Sequence, residues 1–242
     1  MDIQGWSIFT NAFADGWALL ASGTLDIWTI IWTSLKVSWT AVAIALLLGV
    51  PAGFYLGTRR SVSRSAALAL ANAGMGLPPT VVGLITSMLL SRRGPFGPLE
   101  LLYSQPAMVI AQILISVPVV AAITATAVSS VPGELRLQAR SLGASRWHEA
   151  ILTLRESRMG LFAAVAAAFG AIISEVGAVQ MVGGNLPGET QVMTTAIVQF
   201  TRMGRYGSAM ALAVVLLAII IFVNVLITNM QTSSDKHTRE VK

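Results

Sequence analysis

The sequence predicts an all-α integral membrane protein, with about five transmembrane helices, short interfacial or re-entrant helices and a charged elbow on the cytoplasmic side. Three observations carry that fold class. Of the 242 residues, 55 % are hydrophobic and 11 % charged, and mean hydropathy is +0.72, whereas soluble domains are about a quarter charged. Apolar runs recur along the chain, each close to the ~20 residues that a bilayer-crossing helix needs. Between them stands one short polar stretch, QARSLGASRWHEA at 138–150, which has no place in a hydrocarbon layer.

In chain order the apolar runs are Ile30–Tyr55, Ala66–Leu90, Ala107–Val131, Gly160–Val182 and Ser208–Met230. They divide the chain into an extracytoplasmic segment at 1–29, a transmembrane domain at 30–230 with a cytoplasmic loop at 132–158, and a cytoplasmic tail at 231–242. Basic residues set the orientation. Arg59, Arg60 and Arg64 follow the first run, Arg136, Arg140, Arg146, Arg155 and Arg158 fill the central loop, and Lys236, Arg239 and Lys242 lie in the tail. Placing these inside puts 11 of the 16 basic residues in the cytoplasm, as the positive-inside rule favours. The N-terminus is then outside and the C-terminus inside. The first 35 residues hold Asp2, Asp15 and Asp26 but no basic n-region, so no signal peptide is expected there.

Two segments are too short to cross. Phe13–Leu20 is expected to form an outer interfacial helix. Thr190–Gly204 follows the turn-rich GGNLPGET and sets Val192, Met193, Ala196, Ile197 and Phe200 at helical spacing. It is expected to lie at the outer surface or to dip in and return, where surrounding protein or a watery cavity must satisfy its backbone.

Few residues could carry chemistry. The chain has no cysteine, which excludes disulfides and thiolate metal sites, and His148 and His237 stand far apart in polar segments. GGNLPGET lacks the lysine of a phosphate-cradling G-x-x-x-x-G-K-[ST], and no lysine occurs between Lys36 and Lys236. The net charge of +5 belongs to cytoplasmic loops rather than to nucleic-acid binding.

The polar stretch reads as two short helices and a turn. Pro132 is placed to open the first, where its missing N–H is no loss, and Glu134 complements the positive dipole end. Leu135, Ala139 and Leu142 make one narrow apolar face. Gly143 is a left-handed stop, and Ser145 caps a second helix starting near Arg146. Such an elbow suits either docking into a groove of another protein or simply joining two spans.

Residues 137–147, LQARSLGASRW, resemble the cytoplasmic "EAA" loop of ABC importer permeases, with Ala139, Leu142, Gly143, Ala144 and Ser145 matching its core. Leu137 stands where that family has its glutamate, Gln138 where it has the first alanine, and residues around Leu154–Glu156 replace a later I-x-L-P. The likeness runs roughly from Ser34 to Asn229. GLPPTVVGLITSMLLSRRGPFG (76–97), AIISEVGAVQMVGGN (171–185) and GETQVMTTAIV (188–198) resemble the tungstate-type branch of the molybdate/tungstate permeases. The resemblance implies a type I importer permease: a homodimer in a prokaryotic cytoplasmic membrane, served by an extracytoplasmic binding protein. It further implies that Ala139, Arg140, Leu142, Gly143, Ala144, Ser145 and Arg146 couple to a separate ATPase subunit. ATP and Mg would be bound there, and no cofactor, metal or nucleic acid by this chain.

The remaining odd features are candidates for a translocation path or gate. Pro78 and Pro79 are expected to break the second run near Leu77, as a structural kink or to bare backbone to a path. Glu175 is costly in a membrane unless paired or hydrated, and is expected to pair with Lys36 or to line a wet vestibule with it. Gly183, Gly184, Asn185, Thr190 and Thr194 belong to a stretch read as part of an outer gate. Ala166, Gly170, Ser174 and Ala178 make a small-residue stripe for close helix approach. Arg92, Arg93, Arg202 and Arg205 remain outside, available to an anion or to a delivery protein.

Bringing a dianion in against an inside-negative potential requires about 4.6 kcal/mol per 100 mV, which fits an ATP-driven importer of tungstate or molybdate. The alternatives are a permease for another small anion or solute, and a proton-coupled transporter using Glu175. An intramembrane enzyme lacks a paired Asp/His set or metal cluster.

Overall fold

A computed structural model describes residues 3–22, 25–58 and 62–239, which form helices and turns and no strand. Among these described residues eleven α-helices follow in order. They are α1 (Ile3–Ala21), α2 (Leu25–Thr58), α3 (Val62–Met75), α4 (Pro79–Leu90), α5 (Gln105–Ser129) and α6 (Gly133–Ser141), then α7 (Arg146–Glu156), α8 (Arg158–Ile173), α9 (Gly177–Gly183), α10 (Met193–Arg202) and α11 (Tyr206–Arg239). A 3-10 turn occupies Gly97–Leu99. Arg59, Arg60 and Lys242, which entered the expected orientation, lie outside the described residues, as do the side chains of Arg64, Lys236, His237 and Arg239.

Among the described residues, three helices are long and apolar enough to cross a membrane: Asp26–Thr58, Gln105–Ser129 and Tyr206–Gln231. Two broken pairs, α3 with α4 and α7 with α8, raise the count to as many as five. The second expected run is interrupted where the prolines foretold. Pro78 caps α4 and Pro79 takes its first turn, a position where a missing N–H is harmless.

The fourth run departs from expectation. Gly160–Val182 is not one helix: α8 stops at Ile173 and α9 begins at Gly177. No proline causes the break. Side chains instead satisfy the backbone groups it frees. Glu175 Oε1 accepts the Ala178 N–H at 2.9 Å, and the Thr194 hydroxyl donates to the Glu175 carbonyl at 2.8 Å. The N-terminal helix also exceeds the expected Phe13–Leu20, spanning Ile3–Ala21.

The chain forms two compact units. The first comprises Met1–Thr40, Pro78–Gln112 and Ile172–Val223. Its core joins Ile27, Ile30 and Ile31 of α2 to Met193 and Ala196 of α10 and to Ala211 and Leu212 of α11. Here α4 lies so close to α9 that a Cβ on Gly83 would sit 2.5 Å from Ala178 Cα.

The second unit comprises Ala41–Leu77, Ile113–Ala171 and Asn224–Lys242. Ala45, Val120 and Ala168 form its core, from α2, α5 and α8. The close approach runs along α2, where Gly49, Gly53 and Gly57 recur every fourth residue. Added Cβ atoms there would lie 2.7 Å from Val120, 2.5 Å from the Ala121 carbonyl and 2.8 Å from the Ala125 carbonyl, the small-residue packing that lets membrane helices touch. Of the expected stripe, Ala166 and Gly170 lie on α8, whereas Ser174 and Ala178 fall beyond its end. A Cβ on Gly170 would meet nothing within 4 Å, and the face α8 buries is that of Ala164, Ala168, Phe169 and Ile172. Ala178 does pack closely, but from α9.

Candidate functional site

The elbow lies in the second unit. Helix α6 ends in a Schellman arrangement: Ala144 N–H reaches the Ala139 carbonyl at 3.0 Å and Gly143 N–H the Arg140 carbonyl at 2.9 Å. This requires a left-handed residue after the helix, and Gly143 supplies it at φ +83°. Ser145 then caps α7, its hydroxyl accepting the His148 N–H at 3.4 Å and meeting His148 Nδ1 at 2.7 Å. The turn and cap expected from Gly143 and Ser145 are thus present.

What locks the two helices is a group the sequence reading did not single out. Arg136 and Arg140, one turn apart on α6, converge on buried Glu149 of α7. Arg136 Nε donates to Oε1 at 2.9 Å, while Arg140 donates from Nε to Oε2 at 2.7 Å and from Nη2 to Oε1 at 3.1 Å. With five charged or imidazole side chains among its eleven residues, α7 is read as lying outside the apolar layer. The Arg140 hydrogen bond holds the Glu149 carboxyl below its usual value; burial opposes this, and Arg136 reinforces it. Arg140 is raised in turn, chiefly by the same bond.

The clamp decides which residues of the elbow are exposed. Leu135 and Ala139 are half-buried, because their side of α6 is the side that carries Arg136 and Arg140 toward Glu149. Leu142 is 89 % exposed, and the outward leucine of α6 is Leu137, at 62 %. Arg140 holds Glu149 while its side chain stays 57 % exposed, Ala144 is half-buried, and Ser145 and Arg146 are exposed.

The gate candidates fall in the first unit. Thr190 and Thr194 are buried. Thr190 Oγ1 donates to the Gly183 carbonyl and accepts the Leu186 N–H at 2.9 Å, tying off the GGNLPGET turn. Gly184 at φ +73° and Asn185 at φ +53° shape that turn. Asn185 Nδ2 donates to Gln199 Oε1 at 2.8 Å, and Gln191 Nε2 donates to the same oxygen. Gly183 admits Met108 sulfur so closely that a Cβ would lie 2.8 Å from it. Pro78 and Pro79 begin α4, whose first turn places Thr80 against Gly177 beside Glu175. Pro79, Glu175, Gly183 and Thr194 thus belong to one packed set of α4, α9 and α10.

Lys36 is not part of that set. Its side chain is exposed, and the ion pairs resolved among the described residues are those of Glu149. The Glu175 carboxylate instead accepts the Ala178 N–H in the first turn of α9. Two further polar residues matter here and were not singled out from sequence: Ser34, which accepts the Met193 N–H at 2.7 Å, and Gln199. Of the four arginines expected outside, Arg205 has its guanidinium 4.7 Å from the centre of the Phe200 ring and 3.4 Å from Ser208 Oγ. With Asp26, Gln191 and Gln199 it lines a cleft of about 430 Å³.

Known proteins share this arrangement. A bacterial ABC transporter involved in import of the acidic polysaccharide alginate superimposes with a TM-score of 0.72 at 18 % identity, over 89 % of this chain and 83 % of its own, a likeness of fold. The tungstate uptake system permease protein TupB of Peptoclostridium acidaminophilum is 38 % identical over 191 residues, covering 79 % of this chain and 84 % of the relative. A probable anion ABC transporter permease protein of Haloferax volcanii is 39 % identical over 191 residues, covering 77 % and 82 %. The family described as binding-protein-dependent transport system inner membrane component matches residues 49–240. The chain belongs to that family, the membrane-embedded permease subunits of ABC importers.

Proposed function

We propose that this permease translocates a small oxyanion, tungstate or molybdate, delivered by an extracytoplasmic binding protein, and that it works as a pair of identical chains driven by a separate ATPase. The observation that carries the mechanical part is the elbow. Two helices joined by a fixed left-handed turn and clamped through Glu149 move as one body, which is what a motor needs to grip. ATP and Mg belong to the partner, since this chain has no P-loop lysine. The substrate class rests on the names of the anion and tungstate relatives.

Charge supports the orientation and the division into an outer segment (1–29), a membrane domain (30–230) and an inner tail (231–242). The residue ranges of the second unit, which hold the elbow, contain eleven basic and five acidic residues; those of the first contain five and six. By the positive-inside rule the loops and tail that carry those eleven basic residues lie in the cytoplasm. In this reading Ala139, Leu142, Gly143, Ala144, Ser145 and Arg146 present the elbow to the ATPase, and Arg140 braces it. Pro78, Pro79, Glu175, Gly183, Gly184, Asn185, Thr190 and Thr194 form an outer gate whose threonines act by holding backbone.

Uptake by cells carrying this permease as their sole high-affinity route tests the substrate class. Excess tungstate or molybdate is expected to suppress labelled molybdate uptake, and excess sulfate to do so only weakly. Uptake that follows a proton gradient and survives deletion of the ATPase subunit would overturn the proposal.

A further inference from the structure

We infer that the cleft lined by Asp26 and Arg205 binds the headgroup of an aminophospholipid, with Arg205 on its phosphate and Asp26 on its primary ammonium. The cleft lies wholly within the first unit, and the inference is independent of what the permease carries. Asp26 opens the apolar stretch Asp26–Thr58, and Arg205 immediately precedes the stretch Tyr206–Gln231. Both charges line the same cleft, so they stand together at one end of two membrane-crossing helices. That is the depth at which a bilayer keeps its headgroups. Trp17 of α1 and Trp28 of α2 are exposed in the same region of the chain, and tryptophan gathers at the membrane–water interface.

The chemistry of the cleft selects its occupant. Within about 430 Å³ it combines an apolar wall, to which Ile27, Ile30 and Phe200 contribute, with one carboxylate and one guanidinium. These two carry opposite charges, yet the ion pairs resolved among the described residues are those of Glu149. Asp26 and Arg205 therefore share the cleft without closing on each other. Arg205 is held instead on the Phe200 ring, 4.7 Å from its centre, and by Ser208 Oγ at 3.4 Å from Nη2. That contact engages one of five guanidinium N–H groups and leaves others for phosphate oxygens. A ligand with one anionic and one cationic group matches both residues. A free dianion would meet the Asp26 carboxylate, and a lipid with an uncharged alcohol headgroup would leave it without a cation. A quaternary ammonium has no N–H to donate to it.

The test is native mass spectrometry of the full-length permease in detergent, equilibrated with equal amounts of phosphatidylethanolamine, phosphatidylglycerol and phosphatidylcholine. The wild type is expected to retain phosphatidylethanolamine about fivefold over either competitor. Asp26→Asn should abolish that preference while lipid is still retained. Arg205→Gln should lower retention of all three about fivefold, and Arg205→Lys should restore part of it. Glu100→Gln, at an exposed carboxylate outside the cleft, should behave as wild type. Excess inorganic phosphate should not displace the lipid. Equal retention of the three lipids by the wild type would overturn the inference, whatever the variants do. So would a preference that survives both Asp26→Asn and Arg205→Gln, or displacement by phosphate, which would mark a site for free anions.

Discussion

The Glu149 carboxylate accepts from Arg140 Nε at 2.7 Å, joining the helix after the turn to the helix before it. A carboxyl held below its usual value of 4.5 is more acidic folded than unfolded. Its contribution is therefore complete above the ordinary carboxylate range and is lost as pH falls below it, through the lowered folded value. Amide exchange at residues 142–150, corrected for intrinsic rates, is expected to be level from about pH 8 to about pH 5 and to rise in more acid solution. In Glu149→Gln it is expected to be raised throughout and to lose that acid limb. The same variant should keep basal ATPase activity in the assembled transporter while transport per ATP falls.

Gly143 sits at φ +83° with open space around it, so its requirement is one of backbone alone. Gly143→Ala is expected to destabilise the elbow by about 1 kcal/mol, and Gly143→Asn by less. Exchange protection of α6 and ATP-dependent uptake should fall in that order. Equal tolerance of alanine and glycine would remove the left-handed turn from the argument.

Gly53 and Gly170 make a contrasting pair within the second unit. A Cβ at Gly53 would lie 2.5 Å from the Ala121 carbonyl and 2.6 Å from Thr124 Cβ, and α5 must move to admit it. Gly53→Ala is expected to cost about 1–3 kcal/mol, read as a lowered midpoint of thermal unfolding. Gly170→Ala is expected to be neutral or mildly stabilising. Strong destabilisation by Gly170→Ala would instead show that α8 packs its small-residue stripe on another chain.

Glu175 Oε1 accepts the Ala178 N–H at the start of α9. Glu175→Gln retains an acceptor for the Ala178 N–H and is expected to be tolerated, whereas Glu175→Ala loses the cap and about 1 kcal/mol. Thr194→Val, similar in shape but without the hydroxyl, should cost about 1 kcal/mol. Exchanging the charges of Lys36 and Glu175 is expected to rescue neither single variant; a rescue would restore the ion pair.

The parts legible in the sequence are those set by local chemistry. Pro78 and Pro79 mark the break before α4, Gly143 the left-handed turn and Ser145 the cap, each through a property of the residue itself. The clamp was not legible, because it depends on α7 folding back so that positions nine and thirteen residues apart meet. That fold-back also decides which side of α6 faces outward, which is why apolar periodicity alone chose Leu135 and Ala139 over Leu137. The interruption at Ser174–Val176 carries no proline, and tertiary partners stabilise it. The Gly49, Gly53 and Gly57 repeat was not singled out from the sequence, because only packing against α5 distinguishes it from the regular stripe at Ala166, Gly170, Ser174 and Ala178.

The most direct measurement is oxyanion uptake by proteoliposomes holding this permease, with loaded binding protein outside and ATP inside, with and without the ATPase subunit. The expected result is uptake that requires the ATPase, ATP hydrolysis and an intact elbow. Equal uptake by vesicles lacking the ATPase would contradict the coupling role on which the rest depends.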